Sequence, residues 1–209
     1  MMYRIPTAKP NDFKPEKIVH VIITVERSLL SHDPEQSMSL PFTVIKPKEL
    51  PPTIRPGDES VVEKYAEMIA SSSLIQSWAD VEVSPLDIAV DRPCWVVIEI
   101  DKRIENWQFA QGERGLTTKS DSDRNCHLRH IEEGRVQPAG APISGDGCRV
   151  LYFGVVARDG RGTPGASELF NFHTEFLTGT RIDGKWQVEK RLNVIFDPDI
   201  KNEGTAFPP

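Results

Sequence analysis

Leu169-Phe170-Asn171-Phe172-His173-Thr174-Glu175-Phe176-Leu177 decides the fold. Phe170, Phe172, Thr174 and Phe176 fall at period two, so they share one face of a pleated strand, while Asn171, His173 and Glu175 point the other way. Such alternation builds a half-buried sheet. Strand-like runs flank it at 149–158 and 186–196, the second followed at once by Asp197-Pro198-Asp199-Ile200. The carboxylates around Pro198 shape a turn.

Towards the N-terminus, IVHVIITVE (18–26) sets Val19, Val21, Ile23 and Val25 on one face, with Ile18 and Ile22 beside His20, Thr24 and Glu26 on the other. Apolar residues on both faces predict an interior strand. WVVIEID (95–101) predicts another, with 107–110 as its hairpin partner or its continuation after a bulge. Residues 112–124 read as a loop, 126–131 as a short strand, and 138–147 as a loop rich in glycine and proline. One helix is expected over about 58–70. Asp58 is its N-cap, Glu59 and Glu63 suit the positive helix start, and Val62, Tyr65, Ala66 and Ile69 form the apolar stripe. Leu74, Ile75 and Trp78 offer anchors beyond it, and 28–56 is a wandering connection with a short strand at 40–45.

These elements predict a mainly β fold: a single antiparallel β-sandwich with one packed α-helix. Residues 1–17 form an extended lead-in, loose or laid over the surface, 18–203 the sandwich domain, and 204–209 a tail. With 209 residues, about 70% of the extended chain's surface can be hidden, so a core needs no staples. The 17 prolines fit many edges and turns. A net charge of -6 opposes a nucleic-acid partner, which would call for a basic face. Three cysteines without CxxC spacing fit reduced thiols. With no signal-peptide core and no apolar run near about 20 residues, the expected location is the cytoplasm, with no membrane partner.

Candidate chemistry is sparse. Asp121, Asp123, Cys126, His127, Arg129 and His130 form the sharpest polar cluster. His127 and His130 are metal-ligand types, but residues three apart on a strand face opposite ways, and no HExxH or second CxxC accompanies them. No metal or other cofactor is expected. Cys126 and Cys148 read as buried, inert thiols. Asn171, His173 and Glu175 make a row of donors and acceptors about 7 Å apart, able to read a sugar or be the wet side of an outer sheet. Trp107 and Trp186 are stacking surfaces or core anchors. Gly160-Arg-Gly162-Thr-Pro-Gly165 lacks a phosphate-loop pattern and reads as a hairpin loop.

IVHVIITVERSLL near the start, with FNFHTEF and RLNVIFDPDI near the end, resembles the two ends of the AidA/PixA family of bacterial inclusion-body proteins. That resemblance implies a β-sandwich without catalytic residues, intracellular accumulation, self-association and, for some relatives, carbohydrate binding. The middle of the chain, with its helix and its CHLRH segment, departs from the pattern. The chain also resembles small proteobacterial proteins called "nucleotide synthetase", although it holds no ATP-binding loop, Mg²⁺-binding carboxylate set or dinucleotide fingerprint.

The expected function is a cytoplasmic, non-enzymatic protein that binds a polar small molecule or carbohydrate, or assembles into a homo-oligomer. Trp107, His127, Arg129, Asn171, His173 and Glu175 are the ligand-binding candidates. The competing expectation is an enzyme, metal-dependent through His127 and His130 or nucleotide-using.

Overall fold

The computed structural model describes residues 2–25, 42–46, 58–72, 82–84, 88–90, 92–119, 124–156, 167–183, 185–196 and 199–202. In chain order the elements are β1 (Lys17–Val25), β2 (Phe42–Lys46), α1 (Glu59–Ser71), β3 (Glu82–Ser84), β4 (Ile88–Val90), β5 (Cys94–Ile100), β6 (Trp107–Phe109) and β7 (Leu116–Thr118). They continue with β8 (Asn125–Glu132), β9 (Arg135–Val136), β10 (Val150–Val155), β11 (Ser167–Ile182), β12 (Lys185–Phe196) and β13 (Asp199–Asn202). The anchors Leu74, Ile75 and Trp78, the 160–165 loop, the 204–209 tail, Asp121, Asp123, Asp197 and most of 28–56 lie outside the described residues.

Two sheets pack face to face, as the alternation predicts. One runs β3-β2-β1-β5-β10-β8-β9; the other runs β12-β11-β13-β4, with β6 and β7 also paired to β11. Phe170, Phe172 and Phe176 bury their rings against Val21, Ile23, Val96, Ile98, Leu151 and Phe153 of the first sheet. The first sheet's other face carries Ile18, Trp95, Val97 and Tyr152, which pack on Val62, Tyr65, Ala66 and Ile69 of α1. Being covered on both sides, β1 and β5 are apolar on both faces.

The helix follows its expected bounds closely. Asp58 has extended backbone and accepts from the Ser60 N–H at 3.0 Å, satisfying an orphan donor of the first turn. At the other end, Lys102 donates to the carbonyls of Ile69, at 2.5 Å, and Ser72, at 2.7 Å. A cation there complements the helix dipole.

Two local readings need correction. Residues 107–110 neither pair with nor continue β5; β6 crosses to the other sheet and pairs antiparallel with β11. The 112–124 loop contains β7, whose three residues are too few to show a period and are held by β11. Pairing is antiparallel in most places, but β1–β5 and β4–β13 are parallel. The first of these pairs is possible because the connection between its strands carries α1 over the sheet.

The lead-in lies across the body. Tyr3 exchanges both backbone hydrogen bonds with Thr118, at 2.7 and 3.0 Å. Ile5 is buried, and Phe13 meets Trp95 edge-on at 4.9 Å.

Candidate functional site

Strands β6 and β7 are two pieces of one edge strand. They pair with consecutive stretches of β11, Phe109 opposite Thr174 and Leu116 opposite Phe172. His173 sits at the break. Its backbone still bonds both sides, accepting from the Ala110 N–H at 2.9 Å and donating to the Gly115 carbonyl at 3.0 Å. Between these anchors the chain leaves the sheet and returns through Gly115 at φ 77°. A Cβ at Gly115 would stand 2.9 Å from Leu151 Cδ2, so backbone and packing both call for glycine there.

The excursion leaves an open cleft of about 490 Å³ on the outer face of the second sheet. Thr117 and His173 lie at its sheet side, Glu113 and Arg114 come from the excursion, and Met2 and Arg4 from the lead-in. Ile195 of β12 lies opposite His173 in the strand register and lines the same space. His173 is only 6% exposed, and its Nε2 shares a 2.8 Å hydrogen bond with Thr117 Oγ1. Burial lowers its pKa, with Glu113 opposing, so the ring favours its neutral form.

The polar row on β11 is therefore not a wet sheet face, since Asn171 and Glu175 are buried as well. Glu175 accepts from Gln108 Nε2 and from Arg191, both at 2.7 Å, and from the Gln111 N–H at 3.4 Å. Arg191 continues to Asp146 at 2.7 Å. These contacts tie together β6, β11, β12 and the 138–147 loop. Glu175 is a tether whose Oε1 accepts all three bonds, whereas His173 lines the cleft.

The other candidates are placed elsewhere. Trp107 is fully buried and stacked on Phe176, with ring centroids 5.6 Å apart and planes at 8°, which makes it a core anchor. His127 has φ 56° and lies at a register irregularity between β8 and β10. Its Nε2 meets Glu59 at 2.5 Å, and its Nδ1 meets the Thr7 carbonyl at 2.7 Å. Arg129 pairs with Glu59 at 3.1 Å and with Glu63. Burial pushes the Glu59 carboxyl up, but Lys9 and His127 outweigh it and hold it below its ordinary value. His127 and Arg129 thus fasten the lead-in, α1 and β8 together.

His130 lies opposite Leu151, on the sandwich-facing side of β8, with Glu132 3.5 Å from its Nε2. Its partners differ entirely from those of His127. Among the described residues no three His, Cys, Asp or Glu side chains gather as a metal site. All three cysteines are free and buried; burial pushes the Cys126 thiol up to about 12 and raises that of Cys148.

Sequence reasoning missed Arg4, Glu113, Arg114 and Thr117. Nothing in their local patterns marks them, because the cleft is assembled from a lead-in, a loop and a three-residue strand.

Comparisons with known proteins add a family. The family described as "Predicted novel nucleotide synthetase" matches residues 47–205. No curated protein matches. Among solved structures, the crystal structure of inclusion body protein PixA from Burkholderia cenocepacia aligns with 9% identity and a TM-score of 0.39. It covers 93% of this chain and 99% of that one, a superposition too loose to bear on function. The family match spans well over half of the chain, including the cleft residues from Gly112 onward but not Met2 and Arg4, and the chain belongs to the predicted novel nucleotide synthetase family.

Proposed function

We propose that the chain is a non-enzymatic binding protein whose ligand is a small polar molecule, a sugar or a nucleotide, held in the cleft above His173. The observation that supports this reading most is the break in the edge strand. It leaves a buried imidazole, a hydroxyl and charged side chains facing one space of ligand size. The nucleophile candidates favour binding over catalysis: Cys126 is buried and its thiol is pushed far from ionisation. The three buried thiols suit a reducing cytoplasm. No helix among the described residues is long and apolar enough to cross a membrane. Self-association, implied by the resemblance of the chain ends, belongs to the same proposal and is read by sedimentation.

A nucleotide-using enzyme is the second reading. It is favoured by the family's description and by the Thr117–His173 hydrogen bond, which places a hydroxyl beside a base.

A thermal-shift panel of nucleotides and sugars tests the proposal, because a ligand preferring the folded state raises the midpoint. Protection by one class, lost in His173→Ala while the variant stays folded, is the expected result. Protection that survives His173→Ala contradicts the site. Chromatographic detection of nucleotide turnover that scales with protein contradicts the non-enzymatic reading.

A further inference from the structure

We infer that the cleft seats a phosphate dianion, free or as the head of a phosphomonoester, between Arg4 and Arg114. This rests on the cleft being the ligand site and adds what the ligand must carry.

The chain has 31 carboxylate residues against 25 lysines and arginines, so acidic partners are plentiful, although Arg149 donates to carbonyls instead. Arg103 pairs with Asp101, Arg129 with Glu59 and Glu63, and Arg191 with Glu175 and Asp146. Among the described residues, Arg4 and Arg114 make no hydrogen bond and no ion pair. They line the same cleft and are close enough that Arg4, after burial, helps hold Arg114 below its ordinary pKa. Two like charges converging without a counter-ion is a cost that a bound anion would reverse.

Both guanidinium groups rise from anchored backbone. Arg4 lies between Tyr3, paired to Thr118, and the buried Ile5. Arg114 follows Glu113, whose carbonyl accepts from the Ile143 N–H at 2.7 Å, and precedes Gly115, whose carbonyl accepts from His173. The backbone that carries the two side chains is therefore fixed before a ligand arrives, and the ligand has only the side chains to order.

A guanidinium fork matches two oxygens of a phosphate, and two forks match its charge. A carboxylate would leave one cation uncompensated. Glu113 also lines the cleft, where it opposes the lowering of the His173 pKa, and it makes no ion pair with Arg4 or Arg114. Met2, 49% exposed, and Ile195, 52% exposed, give the rim an apolar surface for the uncharged part of a monoester.

Titration calorimetry on the full chain tests the inference with five probes: inorganic phosphate, adenosine and AMP, glucose and glucose 6-phosphate. At least one phosphate-bearing probe is expected to bind, and the uncharged member of a binding pair to bind at least roughly tenfold more weakly. Arg4→Gln and Arg114→Gln, each checked for native circular dichroism, should each weaken binding roughly tenfold. Binding of inorganic phosphate alone identifies a free-phosphate source; binding of a monoester as well identifies the phosphorylated molecule. Equal binding of charged and uncharged partners, or affinity unchanged in Arg114→Gln, overturns the anion seat. If His173→Ala still abolishes that binding, the cleft survives as the ligand site. Silence from all five probes overturns the seat as well, and failure of the wider thermal-shift panel then takes the cleft with it.

Discussion

Thr117 Oγ1 lies 2.8 Å from His173 Nε2 across the β7–β11 seam, at the point where the edge strand breaks. Both residues are buried, so the bond fixes the ring at the sheet side of the cleft. Thr117→Val keeps the shape and removes the partner, leaving an imidazole nitrogen unsatisfied. The expected loss of stability is about 1–2 kcal/mol by urea denaturation. An unchanged midpoint contradicts this role for the bond.

Glu175 is 1% exposed and gathers Gln108, Gln111 and Arg191. Glu175→Ala strands these donors around a void, at a cost of roughly 3 kcal/mol. Denaturant unfolding that shows a loss below about 1 kcal/mol would mean that solvent replaces the tether easily.

Gly179 marks a register shift between β11 and β12 and has φ 142°. A Cβ there would stand 2.0 Å from the Gln187 carbonyl oxygen, backbone that cannot swing aside. Gly179→Ala is expected to destabilise the protein by at least about 2 kcal/mol, checked by thermal and urea unfolding.

Burial lowers the pKa of His130 and His173 from 6.5. The unfolded chain then binds more protons than the fold in a window extending downward from pH 6.5. The two residues' contribution is full above that value and is lost as pH falls towards the folded pKa. Glu132 faces His130 and Glu113 faces His173, and both oppose the shift without cancelling it. Asp101 and Glu132, whose carboxyls are lowered from 3.8 and 4.5, lose their contributions at more acid pH. Stability measured between pH 7 and 5 should therefore decline, and His130→Gln should flatten the decline. An equal slope in the variant assigns the titration elsewhere.

Cys94, Cys126 and Cys148 should resist a thiol reagent in the folded state and react together on unfolding. Fast labelling of one thiol in native protein would place it at the surface.

The sandwich was legible because its determinants are local and periodic. The β11 alternation, the doubly apolar β1 and the Asp58 cap each follow from neighbours in sequence. The cleft was legible only at His173, which lies within a periodic strand. Arg4, Arg114 and Thr117 meet it through long-range pairing with Tyr3 and β11, and their own segments carry no pattern. Buried Glu175 shows the converse: alternation told which way it points, but not that a loop and Arg191 would cover that face.

The most direct test of the cleft as the ligand site is a titration of ¹⁵N-labelled protein with AMP and with glucose 6-phosphate, following the His173 imidazole and the amides of residues 112–117. Saturable shifts confined to those signals and to Arg4 are predicted for at least one probe. Shifts centred instead on His127 and α1 would contradict the cleft as the ligand site, and none at residues 112–117 and 173 at saturating concentrations of both would contradict its phosphate seat.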